Sequence, residues 1–141
     1  MRKNSIIVII LSPLLVVLIF FSMSQHKETI ELREIKNNAE EQLTNSLQRT
    51  FYALNNVNGV EKQNALTGQE EAEFIAKILN SDLELTLSFL GMYIEQWDSM
   101  KSSSEHDEIK TWLSALSADP YNKEANDSLL DLLVDLTLKN K

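Results

Sequence analysis

Along the chain, one unbroken apolar run is followed by stretches in which apolar residues recur at threes and fours. Ile6 to Phe21 is sixteen residues interrupted only by Ser12 and Pro13, preceded by Arg2 and Lys3 and followed by a mostly polar stretch to Lys27. A helix over it, at about 1.5 Å per residue, spans about 24 Å, which reaches across a ~30 Å hydrocarbon core only if Ser22 and Met23 join it and the two basic residues snorkel. With no polar face, such a segment does not suit the surface of a water-soluble fold. The expectation is a single-pass membrane helix in contact with lipid through Ile6, Ile7, Val8, Leu14, Leu15, Val16, Leu18, Phe20 and Phe21. The alternative is an export signal cleaved near Ser24, for which Ser22-Met23-Ser24 is an imperfect small-x-small site.

Beyond it, Leu32, Ile35, Ala39, Leu43, Leu47, Phe51, Leu54 and Val57 mark one amphipathic helix from about Lys27 to Val57, with Arg33, Asn37, Glu41, Asn45 and Gln48 on its wet side. The steps average nearer 3.6 than 3.5, which favours packing in a globular bundle over a free coiled-coil stalk. Asn58-Gly59 and the polar run to Thr67-Gly68 read as a loop. Thr67 with Glu70 then forms a capping box that opens a second helix. From Gln69 to about Lys101 the apolar residues cover so much of the wheel that this helix is expected to be the enclosed, central one. The stretch Leu85 to Ile94 lacks the valines and flanking turns of a strand. Ser104 with Asp107 offers a further capping pair before a short helix striped by Ile109, Trp112, Leu113 and Leu116. Asp119-Pro120 ends that helix and, as N-cap and first residue, opens a last one running to about Leu138.

The predicted fold is therefore all-α: an N-terminal transmembrane or signal helix over 1–24, then an antiparallel three- or four-helix bundle over 25–141. Only 3 Gly and 2 Pro in 141 residues agree with few turns and long elements.

Charge changes the picture of partners. Residues 1–24 hold two bases and no acid, leaving 11 bases against 21 acids in the remainder, a net of -10. No basic cluster offsets this, so nucleic acid is an unexpected partner and anionic lipid a poor one for that domain. The absence of Cys removes disulfides, thiolate ligands, thiol catalysis and lipid attachment through a thiol. Bases on the two sides of the apolar segment nearly balance, but a short basic tail before it is the layout of an export signal. We therefore expect a cytoplasmic N-terminus and an extracytoplasmic acidic domain.

Candidate chemistry is sparse. His26 and His106 are eighty residues apart, without a chelating spacing, so no metal is expected. There is no Gly-rich phosphate loop, no Gly-x-Ser-x-Gly and no nucleophile beside a base, so neither a catalytic residue nor a cofactor is expected and the protein reads as a non-enzyme. Two constellations remain. Asp82 and Thr86, one turn apart inside an apolar arc with Gln96 at its edge, suggest either a small ligand pocket or a hydrogen-bonded group that fixes helix register. Asp127, Asp131 and Asp135 line one side of the last helix and suggest a solvated face or a strip for a basic partner.

Three functions fit. The first is a non-enzymatic interaction or regulatory module that binds another envelope protein. The second is a small-molecule-sensing bundle with a pocket near Asp82 and Thr86, although no second span or cytoplasmic domain provides an output. The third is an acidic inhibitor, or immunity-like protein, of a basic enzyme.

Overall fold

The computed structural model describes the backbone of residues 2–56, 61–97 and 103–139, and side chains over 27–56, 61–97 and 104–137. It contains five helices and, among the described residues, no strand: α1 (Arg2–Leu54), α2 (Lys62–Ile78), α3 (Leu83–Glu95), α4 (Ser103–Ala118) and α5 (Lys123–Lys139). By its internal contacts the chain divides into two units, residues 1–37 and 38–141.

In the second unit, α1 presents Leu43, Leu47, Thr50 and Leu54 to the core, all at most 1% exposed. The chain turns back, Glu61 N–H donating to Ala53 O at 3.0 Å, and α2 runs antiparallel to α1. Further along the same pair, Arg49 and Ser46 reach Glu71. The side of α2 that meets its neighbours is built from small residues, with Ala65, Gly68, Ala72 and Ala76 all buried. This allows a close approach at Gly68, where an added Cβ would stand 2.6 Å from Thr50 Oγ1 and 3.0 Å from Ser46 O.

The second helix therefore starts earlier than its sequence suggests. Thr67 is not a cap: it lies inside α2 and its hydroxyl donates to Gln63 O at 2.9 Å. Neither Thr67 nor Gly68 ends a helix here, because burial against α1 outweighs the local preference of glycine for turns.

A larger correction concerns 69–101, which is not one helix. Asn80 adopts φ 52°, Ser81 N–H donates to Ala76 O at 2.9 Å and Asn80 N–H to Lys77 O at 3.1 Å. This is the paired hydrogen-bond pattern of a left-handed helix C-terminus, for which asparagine is the common alternative to glycine. Ser81 Oγ accepts Leu83 N–H at 3.3 Å and starts α3. The breadth of the apolar arc thus reflects two antiparallel helices, and it is α3 that is enclosed, burying Leu83, Thr86, Leu87, Leu90, Tyr93 and Ile94. Gln69 Nε2 donates to Leu87 O at 2.7 Å, and Lys62 Nζ to Glu95 O at 2.6 Å, fixing the register of the pair.

The last two helices complete the core with Ile109, Leu113 and Leu116 from α4 and Ala125, Leu129 and Leu133 from α5. The connection reverses at Asp119-Pro120, but the cap of α5 is Asn122, whose Oδ1 accepts Ala125 N–H at 3.0 Å. Asp119 instead closes the turn by accepting Tyr121 N–H at 3.0 Å. Tyr121 then returns to α1, its hydroxyl donating to Glu40 at 2.8 Å, and Gln48 reaches Ser117 O at 3.4 Å.

The expected packing stripe of α1 is thus only partly used. Leu43, Leu47 and Leu54 are buried and Phe51 partly so, whereas Leu32 and Ile35 are 66% and 64% exposed. Among the described residues no helix is long and apolar enough to cross a membrane. The side chains of Ile6 to Phe21, on which the membrane expectation rests, and of His26 lie outside the described residues.

Candidate functional site

Among the described residues, a groove of about 450 Å³ lies between α1 and α2 in the second unit. Its α1 wall is Ala39 followed by the polar Gln42, Asn45 and Ser46; its α2 wall is Phe74, Ile75 and Ile78, with Glu71 at the end nearest Ser46. The groove exists because the two walls differ in kind. Glycine and alanine draw the helices together lower down, while Phe74 and Ile78, one turn apart, project from the outer side of α2. They are 66% and 62% exposed.

The Glu71 end is closed by Arg49, whose guanidinium stands 3.2 Å from Glu71, with Ser46 donating to the other carboxylate oxygen at 3.5 Å. Both members of the ion pair are about half exposed. Their attraction is therefore screened by water and serves mainly to hold Glu71 toward α1.

The residues singled out by sequence fall elsewhere. Asp82 is not buried: it is the exposed residue preceding α3, in an open depression with Ser81, Glu84 and Ser88. Thr86 faces away from that depression into the core, where its hydroxyl donates to Asn126 Oδ1 at 2.5 Å. Gln96 is exposed at the opposite end of α3, in the C-cap position. The three therefore do not share a cavity, since the break at Asn80 moves Asp82 to a helix end. Asp127, Asp131 and Asp135 are all exposed on one side of α5, opposite buried Leu129, Leu133 and Leu136.

A second grouping was not legible from sequence. The Tyr93 hydroxyl on α3 is hydrogen-bonded to Nδ1 of His106 in the first turn of α4. The imidazole stacks on Trp97 with ring centroids 4.0 Å apart and 24° between planes. Tyr93 meets Trp97 edge-on at 5.3 Å, and Lys110 Nζ stands 5.9 Å from the Trp97 ring. Burial, with the nearby charge of Glu105 adding to it, pushes the Tyr93 phenol well above its usual range. The phenol is thus neutral at any physiological pH, and the cluster ties α3 to α4. Eight residues separate Trp97 from His106, and no periodicity links them, so only the tertiary fold brings them together.

Among the described residues, no group of three or more His, Asp or Glu side chains is placed to hold a metal ion. What the groove offers chemically is a hydrophobic seat one helical turn long with a polar margin. Comparison of the chain with protein-family models, with characterised proteins and with solved structures finds no match.

Proposed function

We propose that this chain is a membrane-anchored, extracytoplasmic helical protein that acts by binding another envelope protein and catalyses no reaction. The observation that carries the reading is the exposure of Phe74 and Ile78 beside Ala39. Single exposed apolar side chains need no explanation, but two large ones spaced i, i+4 along a groove with a polar margin make a seat for an amphipathic helix. The anchor is supported by the unbroken apolar run Ile6 to Phe21 behind Arg2 and Lys3. The excess of acids in the remaining domain favours a partner helix whose flanks are basic.

The test uses the full-length protein cross-linked in its own membranes and then recovered. Capture of the partner is expected to be lost in Phe74→Ser/Ile78→Ser and kept in Asp127→Lys/Asp131→Lys/Asp135→Lys. The reverse pattern would move the interface to α5. Release of the chain from membranes by alkaline carbonate would remove the anchor from the account.

A further inference from the structure

Among the described side chains of residues 27–37, the large apolar residues Ile30, Leu32 and Ile35 are all exposed, Ile30 at 52% and on a different side of the helix from the other two. Leu32 and Ile35, one turn apart on the same side of the helix, are 66% and 64% exposed, whereas Leu43, Leu47 and Leu54 of the same sequence stripe are buried. The spacing differs between the two parts. Leu32, Ile35 and Ala39 step by 3 and 4, the spacing of a coiled-coil seam, whereas Ala39, Leu43, Leu47 and Phe51 step by 4, the spacing of a stripe that turns into its own bundle.

With Leu32 at an a position and Ile35 at d, Glu31 falls at g and Lys36 at e. In a parallel, in-register pairing of two such helices, each g residue faces the e residue of the following heptad on its neighbour. Glu31 of one copy therefore stands opposite Lys36 of the other, twice by symmetry, with opposite charges on both flanks of the seam. Antiparallel pairing would lose this match. Glu28, at the preceding d position, sets the membrane-side limit of the seam, because two carboxylates would face one another there.

From this we propose that Leu32 and Ile35 are covered by the same residues of a second copy of this chain, aligned in parallel and matched through Glu31 and Lys36. The contact is shorter than the three to four heptads that sustain an isolated coiled coil. It therefore rests on the anchoring proposed above, which places two copies in one lipid layer in the same orientation and raises their effective concentration. Leucine at a with isoleucine at d shifts the preference toward more than two parallel strands, in which each copy keeps the same contacts with its neighbour.

The chain has no cysteine, so single substitutions read proximity without background. Leu32→Cys, Arg33→Cys, Ile35→Cys and Asn37→Cys are made in the full-length protein, which is oxidised in native membranes while a parallel sample is extracted with alkaline carbonate. The expected result is a disulfide-linked species of twice the chain mass, at least fivefold more abundant at 32 and 35 than at 33 and 37. In the Ile35→Cys background, Glu31→Lys lowers the yield and Glu31→Lys/Lys36→Glu restores it. Equal yields at all four positions, or absence of the doubled species, overturn the proposal. A chain that resists carbonate but shows no periodic cross-linking refutes self-pairing and spares the anchor. A chain that is extracted yet cross-links with the same periodicity refutes the anchor and spares self-pairing.

Discussion

Thr86 and Asn126 meet in the core, the threonine hydroxyl donating to Asn126 Oδ1 at 2.5 Å, with exposures of 0% and 8%. The contact joins α3 to α5 and satisfies two polar groups that would otherwise be costly in an apolar interior. In Thr86→Val the Asn126 oxygen is left buried without its donor, and a loss of about 1–3 kcal/mol is expected in urea unfolding. Thr86→Val/Asn126→Leu removes both partners and should recover much of that loss. A double variant less stable than the single one would show that the pair does more than satisfy itself.

Gly68 reports on the approach of α1 and α2. A methyl group there meets Thr50 Oγ1 at 2.6 Å and backbone atoms of Ser46 and Thr50 at 3.0 Å. Backbone cannot rotate out of the way, so Gly68→Ala should cost about 1–3 kcal/mol in spite of the better helix propensity of alanine. At Gly91 the three atoms nearest the same methyl all belong to the side-chain amide of Gln69, the closest at 2.7 Å. Gly91→Ala is therefore expected to be the milder change, and thermal melts of the two variants decide the order.

Asn80 occupies a left-handed conformation at the end of α2, φ 52°. Asn80→Val should destabilise the fold by about 1–2 kcal/mol, because a β-branched side chain collides with its own backbone there. Asn80→Gly should be neutral or slightly stabilising. Equal effects of the two substitutions in chemical denaturation would contradict the assigned turn.

These residues also show how far the sequence could be read. The helical class, the part of the α1 stripe that holds Leu43, Leu47 and Leu54, and the α4 stripe of Ile109, Leu113 and Leu116 follow from spacing, since these residues are buried as their periodicity requires. The break at Asn80 was hidden because apolar residues continue on both sides of it, although Asn80-Ser81-Asp82 is a run of turn-forming side chains. Gly68 misled in the other direction: a glycine chosen for close packing looks in sequence like one chosen for a turn. The groove was invisible for a different reason. Phe74 and Ile78 carry the same letters as core residues, and only packing shows which apolar positions remain uncovered.

Alkaline pH should report on the burial of tyrosine. Burial raises the Tyr93 phenol, and burial together with the Glu40 hydrogen bond and charge pushes Tyr121 up to about 12. A folded-state value above the unfolded value of 10 means that the associated stability is fully present below pH 10 and is lost as pH rises through the folded value. Tyr121 is largely open to solvent, so the effect is assigned to Tyr93. In Tyr93→Phe, stability at pH 7 should fall by about 0.5–1.5 kcal/mol with loss of the His106 bond. Its urea midpoint should then decline less between pH 9 and 12 than that of the parent chain. Parallel declines would mean that the phenol is not protected by the fold.

The central claim is that the Phe74 and Ile78 groove receives a partner helix at the membrane. It is tested most directly by placing a photo-reactive amino acid at position 78, and separately at position 131, in the full-length chain in intact membranes. Irradiation is expected to give one discrete adduct with a different protein from position 78, abolished by Phe74→Ser, and none from position 131. No adduct from 78, or the same adduct from both positions, would contradict the account.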